Sequence, residues 1–211
     1  MKYLQFLLAL LVAVTFSSCL NLQQTGNLML EKNSLGKWKA TDFAGHGEVS
    51  VEKGVLKIGM GIELTGVNWT GELPKGEYEI SFEGRRVQGN DFFCGLTFPV
   101  QGSHATLILG GWGGALVGIS SFDNLDASEN ETGDVYVFED GQWYAVKLRV
   151  LKNRIRVWIN DKEQIDIDLM DRKVGMRPGE IERSAPLGIA TWMTGSEIRK
   201  IRIRDLAEGE K

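Results

Sequence analysis

The segment Gly89–Thr132 concentrates side chains that could bind a sugar or a metal ion. It holds one of the two histidines of the chain, His104, and a glycine-flanked tryptophan, Trp112. Strand-like apolar runs alternate there with carboxylates and amides: Asn90, Asp91, Asp123, Asn124, Asp126, Glu129, Asn130 and Glu131. Rigid strands that present such groups on one surface commonly build a polar binding cleft. The segment therefore predicts a site for a polar ligand without naming the ligand.

Three features of this segment could belong to a site, and two of them also allow a structural interpretation. Trp112 could stack on the apolar face of a pyranose ring, or it could belong to the core. Glu129 and Glu131 are two residues apart and would share one face of a strand, where a carboxylate pair can divide acid and base roles. His104 precedes the strand Ala105–Leu109 and could equally be a surface residue at a turn.

Two familiar ligand-binding motifs are not matched. The run Gly110-Gly111-Trp112-Gly113-Gly114 lacks the Lys-Ser/Thr pair of a phosphate loop, so a glycine-rich strand or turn beside a site is the better interpretation. The acidic run that begins at Asp123 resembles a calcium loop in composition only, because the spacing and turn glycine of an EF-hand are missing. A solvated acidic loop explains it as well.

The N-terminus reads as a bacterial lipoprotein signal. Lys2 precedes the apolar run Leu4–Phe16, which is shorter than the roughly 20 residues of a membrane span. Phe16-Ser17-Ser18-Cys19 resembles a lipobox, which implies cleavage before Cys19 and lipid on its sulfur. We expect a signal peptide over 1–18, a lipidated cysteine and tether over 19–27, and an envelope protein held to a membrane by acyl chains, on its periplasmic or surface face.

The composition of the remainder indicates one globular domain, residues 28–206, with a short tail, residues 207–211. The formal net charge is −4 and no basic patch with interleaved aromatics occurs, which argues against a nucleic-acid partner. Beyond Cys19 the only thiol is Cys94, so no disulfide framework is available. Cys94 lies in an apolar strand, where a buried thiol is expected.

Alternation at period two predicts an all-β fold. Apolar residues recur at every second position in several segments and would face the space between two sheets: Tyr78, Ile80, Phe82, Val146, Leu148, Val157 and Ile159. Lys53-Gly54, Lys152-Asn153 and Asn160-Asp161 read as tight turns. With 26 glycines and four prolines, this pattern favours an antiparallel sandwich or barrel. The segment Val157–Lys162 resembles the late hairpin of concanavalin A-like and laminin-G-like folds, which implies a two-sheet antiparallel jelly-roll sandwich. An immunoglobulin-like sandwich has fewer strands than the pattern requires.

Several motifs together resemble a branch of the 3-keto-disaccharide hydrolase family, over most of residues 36–206. They are Asp91–Pro99, Gly110–Gly114, Asp126–Thr132, Arg177–Glu182 and Pro186–Trp192. The resemblance implies a jelly roll that acts on glycosides oxidised at C3, whose ketone acidifies the C2 proton and allows loss of the C1 substituent. It also allows a divalent metal as Lewis acid, although no cofactor is identified.

On this hypothesis each candidate residue has a role. Glu131 and His104 are the candidate bases, Trp112 is the sugar platform, and Asp91, Asn130 and Asn124 are candidate substrate ligands. We expect Asp91, His104, Asn130 and Glu131 to converge on one cleft, and Glu180 or Glu182 to be able to reach it. The alternative is a non-catalytic glycan-binding module, and a structural adhesion lipoprotein is a weaker third interpretation.

Overall fold

The computed structural model describes residues 27–210. The predicted signal peptide and the lipidation site Cys19 therefore lie outside the described residues. Fifteen strands follow in chain order: β1 (Asn27–Leu28), β2 (Trp38–Ala40), β3 (Val49–Glu52), β4 (Val55–Ile58), β5 (Leu64–Trp69), β6 (Tyr78–Gln88), β7 (Cys94–Val100), β8 (Ser103–Gly110), β9 (Leu116–Ser120), β10 (Asp134–Val135), β11 (Tyr144–Leu151), β12 (Arg154–Ile159), β13 (Lys162–Asp168), β14 (Gly188–Trp192) and β15 (Gly195–Asp205).

The strands form two antiparallel sheets. Sheet one has the order β13-β12-β11-β6-β15-β4-β3, with β1 also paired to β15. Sheet two has the order β10-β9-β8-β7-β14-β5-β2. The predicted two-sheet antiparallel jelly-roll fold is confirmed. Within residues 27–210 helical structure is confined to a turn at Gly111–Gly114 and a 3-10 helix at Glu180–Ser184, and no helix there has the length and apolar character to cross a bilayer.

The core fills the space between the sheets. All seven side chains predicted to face inward are buried there: Tyr78, Ile80, Phe82, Val146, Leu148, Val157 and Ile159. Large apolar side chains of sheet two, such as Leu96, Phe98 and Leu107, belong to the same core cluster. Each such side chain contributes roughly 1.5–3 kcal/mol through burial, which holds the sheets together without a disulfide.

Two local features show how residue type sets this architecture. The turn at Asn160-Asp161 has positive φ at both residues, as its residue types predicted, and so does the turn at Lys53-Gly54. The predicted turn at Lys152-Asn153 is present but has no positive φ. The hydroxyl of Tyr78, on sheet one, donates to the carbonyl oxygen of Pro99, on sheet two, at 2.5 Å, and burial raises the pKa of that phenol. This hydrogen bond satisfies a polar group that burial would otherwise leave unpaired.

Cys94 lies fully buried in the core, as its apolar setting predicted. Burial raises the pKa of its thiol well above the usual range. Because the thiolate is the nucleophilic form, Cys94 acts as a small apolar side chain and not as a catalytic group.

Candidate functional site

A cleft of about 410 Å³ lies on the outer face of sheet two. Its floor follows from the period-two geometry of the strands. On β8, Leu107 and Leu109 belong to the core between the sheets. The alternate residues Thr106 and Ile108 face away from the core and line the cleft. A volume in this range suits a small organic ligand.

The floor of the cleft combines an apolar patch with the hydroxyl groups of Thr106 and Ser120. Leu64 and Trp192 line the cleft and belong to a small cluster outside the main core, together with Phe43, Ala190, Phe92 and Ile181. The hydroxyl of Thr106 is hydrogen-bonded to that of Thr97 at 2.9 Å. Ser120 Oγ accepts from the amide of Ala127 at 3.0 Å, so its own proton remains available to a ligand.

One wall of the cleft is the glycine-rich turn that presents Trp112. The turn runs from β8 to β9, and Gly110, Trp112, Gly113 and Gly114 all have positive φ. A Cβ at Gly114 would lie 2.8 Å from Arg86 Nη1 and 3.0 Å from Asn90 O, so this position has no room for a side chain. Trp112 is 46% exposed and lines the cleft, which makes it an accessible aromatic surface and not a core residue.

Asp91 links this turn to the loop before β7. Its Oδ1 accepts from the amide of Phe92 at 2.7 Å, and its Oδ2 accepts from the amide of Gly113 at 3.3 Å. The amide of Asp91 in turn donates to Thr194 Oγ1 at 3.1 Å. The carboxylate therefore holds the Trp112 turn against the end of sheet two.

The opposite wall is the segment Arg177–Ile181. Arg177 Nη1 lies 2.8 Å from Asp126 Oδ2, and its guanidinium carbon is 5.9 Å from the centre of the Trp112 ring. Glu180 pairs with Arg183 through Oε1, at 3.3 Å from Nε. Its second oxygen, Oε2, is shielded from solvent and has no hydrogen-bond partner.

Of the six residues predicted for the site, Asp91 and Trp112 line the cleft. His104 lies on β8, two residues before Thr106 and on the same outer face, but it is not among the lining residues. The predicted convergence of Asp91, His104, Asn130 and Glu131 on one cleft is therefore not observed.

Asn130, Asn124 and Glu131 lie outside the cleft in a neighbouring loop network. The side-chain amide of Asn130 donates to the carbonyl oxygens of Ile119, Leu125 and Asp126 at 2.8–3.0 Å. Asn130 is half-buried, and these bonds to backbone carbonyls close a loop. Asn124, at φ 66°, accepts from Lys173 Nζ at 2.9 Å.

Glu131 is exposed and forms a salt bridge with Arg172. The hydrogen bond from that guanidinium lowers the pKa of the Glu131 carboxyl, which makes it a weaker base. The catalytic roles suggested for Glu131 and His104 stay predictions, and neither residue is positioned in the cleft.

The acidic run that resembles a calcium loop in composition is paired with arginine side chains and backbone amides of the protein. Asp123 accepts from the amide of Lys173 at 2.9 Å and from Arg172 at 3.2 Å, whereas Asp126 pairs with Arg177. Across residues 27–210 no three His, Cys, Asp or Glu side chains group closely enough to hold a metal ion. The residues present therefore do not fit the divalent metal that the resemblance allowed.

Several lining residues escaped the sequence reasoning. Thr106 and Ser120 are polar residues within apolar strands. This interruption of the apolar pattern was the sequence signal that could have identified them as lining residues. Glu63 and Phe92 enter the cleft only because loops bring them there. Arg177 was visible only as part of a loop motif, 65 residues along the chain from Trp112. Glu180, one of the two glutamates expected to be able to reach the site, lines the cleft, whereas Glu182 does not.

Residues 27–204 match the family model described as a 3-keto-alpha-glucoside-1,2-lyase-like domain. Comparison with curated proteins gives no significant match.

Among solved structures, a carbohydrate-binding module, CBM66, from Bacillus subtilis superposes with a TM-score of 0.55 at 12% identity over 80% of this chain and 96% of its own. A putative glycosyl hydrolase from Parabacteroides distasonis gives 0.54 at 12% identity over 86% and 94%. The Emp47p carbohydrate recognition domain gives 0.56 at 11% identity over 86% and 95%. At these identities the structural likeness establishes the fold alone.

Proposed function

Because the chain belongs to the 3-keto-alpha-glucoside-1,2-lyase-like family, we propose that it acts on glycosides oxidised at C3. The family membership and the carbohydrate-related structural neighbours support a carbohydrate-related role. The observation that carries the proposal is the cleft of about 410 Å³, which places an exposed indole beside three carboxylates: Glu63, Asp91 and Glu180.

The cleft is suited to the two faces of a sugar. The apolar C–H face of a pyranose matches the accessible ring of Trp112, which is the role suggested for this residue from the sequence. Ser120 and the wall carboxylates offer hydrogen-bond partners to the hydroxyl edge. Apolar and aromatic lining with a few placed polar groups is the usual composition of such sites.

The chemistry requires a base and a polar environment for developing charge. The C3 ketone acidifies the proton on C2, so a positioned carboxylate can remove it, and the C1 substituent then leaves. Arg177, which faces the Trp112 ring, is the cation near enough to the cleft to stabilise negative charge on the ketone oxygen. No step is assigned to a metal, since the side chains do not form a ligand set.

The assay is release of p-nitrophenol from p-nitrophenyl 3-keto-α-glucoside by the full chain. We expect release from the keto compound and none from unoxidised p-nitrophenyl α-glucoside, because only the ketone acidifies C2. Trp112→Ala should lower the rate, whereas Trp143→Ala, on sheet one, is the matched control and should not. Failure of the wild-type chain to consume the keto compound would refute the proposed reaction.

A glycan-binding module is the second candidate. It is supported by the exposure of Trp112 and by the structural neighbours that are a carbohydrate-binding module and a carbohydrate recognition domain. In that case the full chain would bind unoxidised glycans on an array in a Trp112-dependent manner and leave 3-keto-glycosides unchanged.

We also propose that the protein is a lipoprotein of the bacterial envelope, anchored through Cys19. The support is the sequence Phe16-Ser17-Ser18-Cys19 after a short apolar run. Cys19→Ala should release the protein from the membrane fraction, whereas Cys94→Ala, at the buried thiol, should leave fractionation unchanged. A Cys19→Ala protein that stays in the membrane fraction with its signal cleaved would refute the anchor.

A further inference from the structure

The three carboxylates that line the cleft differ in what already occupies their oxygens. Asp91 uses both oxygens to accept backbone amides, at 2.7 Å from Phe92 and 3.3 Å from Gly113. Glu63 is solvent-exposed, so holding its side chain in one position at the cleft would cost side-chain entropy. Neither arrangement leaves a fixed, unoccupied oxygen at the cleft.

Glu180 differs, because one of its oxygens has no hydrogen-bond partner. Its Oε1 pairs with Arg183 at 3.3 Å, whereas Oε2 is buried without a hydrogen-bond partner. Although 39% of the side chain is accessible, Oε2 itself is shielded from solvent. A buried polar atom without a partner requires an explanation, and one explanation is a functional role in a site. Glu180 is a wall residue of the cleft, and the terminal torsion of a glutamate carboxylate rotates readily. A rotation that turns Oε2 toward the cleft would let a bound ligand supply that partner.

The backbone that carries Glu180 is fixed to sheet two. Asn68, on β5, donates through its side-chain amide to the carbonyl oxygens of Arg183 and Ala185, at 2.8 and 3.1 Å. Arg183 itself donates to the carbonyl oxygen of Asp42. Ile181 packs against the apolar cluster outside sheet two. These contacts place the carboxylate on a rigid support, which positioned proton transfer requires.

We propose that Glu180 is the base that removes the C2 proton of the 3-keto-glycoside. The assignment rests on the proposed function and names Glu180 in place of Glu131, whose carboxylate is held by Arg172 away from the cleft. Arg183 acts as a positioning residue, since its contact with Oε1 directs Oε2 as the proton acceptor.

The elimination step balances without an external oxidant or reductant. The C2–H bond breaks, its proton passes to Glu180 Oε2, and its electron pair forms the C1=C2 double bond conjugated with the C3 ketone. The C1–O bond breaks and its electron pair stays on the leaving oxygen, which takes a proton from water. The hydroxide formed then removes the proton from Glu180 and restores the carboxylate.

The test compares Glu180→Gln with Glu182→Gln in the full chain. Glu182 lies in the same 3-10 helix, accepts from the amide of Gly179 at 3.1 Å, and does not line the cleft. Glu180→Gln should slow p-nitrophenol release from the keto substrate by about 100-fold or more, the scale of general-base catalysis. Its Tm and its affinity for unoxidised p-nitrophenyl α-glucoside should match wild type, and Glu182→Gln should match wild type in all three measurements.

A second readout isolates the proton transfer. In D₂O, wild type should catalyse exchange of the C2 proton of methyl 3-keto-α-glucoside, and Glu180→Gln should not. If Glu180→Gln does not fold, Glu180→Ala with added formate as an external base should regain release, and absence of regained rate counts against the assignment. Wild-type release that persists in Glu180→Gln, or a lost rate that follows lost affinity, overturns the role of Glu180 alone. A wild-type chain without release overturns the proposed function with it.

Discussion

Replacing Gly114 with alanine tests whether backbone geometry holds Trp112 at the cleft. Gly114 has φ 104°, and an alanine Cβ there would lie 2.8 Å from Arg86 Nη1 and 3.0 Å from Asn90 O. A left-handed φ costs a non-glycine residue about 1–2 kcal/mol, and crowding in a packed region adds about 1–3 kcal/mol. Near the middle of that range, a loss of about 3 kcal/mol lowers Tm by roughly 6–12 °C for a chain of this size.

The consequence for the ligand follows from the same contacts. Arg86 donates to the carbonyl oxygen of Gly114 at 3.2 Å and also to Phe138 O at 2.8 Å, so relief of the collision must move either the guanidinium or the turn. Because Trp112 lies within that turn, we expect Gly114→Ala to weaken binding of methyl 3-keto-α-glucoside in calorimetric titration.

Two glycines provide matched controls. Gly113→Ala (φ 90°) and Gly102→Ala (φ 73°) meet no atom within 4 Å, so each should incur the conformational cost alone. Gly102 lies in the β7–β8 hairpin away from the cleft, so Gly102→Ala should lower Tm slightly and leave affinity unchanged. Equal Tm and affinity for the Gly114 and Gly113 variants would refute the reasoning.

Three further predictions concern stability and reactivity. Tyr78→Phe leaves its carbonyl acceptor unpaired between the sheets and should lower the free energy of unfolding by about 1–3 kcal/mol in urea titration; an unchanged midpoint would contradict the bond. Cys94, whose pKa is raised by burial, should react with a thiol reagent only after denaturation, and rapid native labelling would show it is accessible. Glu131 has a lowered pKa because Arg172 donates to it, so its contribution to stability is present above the unfolded-state pKa and is lost as pH falls through the lower folded-state value. Acid unfolding should show a slightly smaller pH dependence in Glu131→Gln than in wild type, by less than about 1 kcal/mol because the pair is exposed, and identical pH profiles would contradict it.

The sandwich could be predicted from the sequence because its determinants are local. Tyr78, Ile80 and Phe82 alternate with polar residues, and a strand with that pattern can bury one face only. The turn at Asn160-Asp161 was equally visible, since these residue types tolerate positive φ. The order of strands within each sheet depends on distant pairings, such as β15 with β6, which no local pattern encodes.

The site could be predicted only in part for the same physical reason. Asp91 and Trp112, which line the cleft, could be singled out as candidates because glycines and a polar cluster mark their turns. Glu131 and Asn130 are of similar residue type, but both take part in loop structure. Glu131 forms a salt bridge with Arg172, and the side-chain amide of Asn130 donates to three backbone carbonyl oxygens. Whether a carboxylate is occupied by the protein itself or remains open to a ligand depends on partners that are distant in sequence.

The two outer faces differ in a way that favours sheet two for the proposed ligand site. On sheet one, the Trp143 ring has the guanidiniums of Arg85 and Arg199 at 4.6 and 3.9 Å, and Trp158 has three cations within 5.6 Å. Arg85 is further paired with Glu197 at 2.5 Å, so the aromatic and charged groups of that face already satisfy one another. On sheet two, Arg177 is the one cation among residues 27–210 that lies over the Trp112 ring, at 5.9 Å, and the ring remains accessible. A sugar that stacks on sheet one must displace cations from the rings, whereas a sugar that enters the proposed site in the cleft meets an accessible ring.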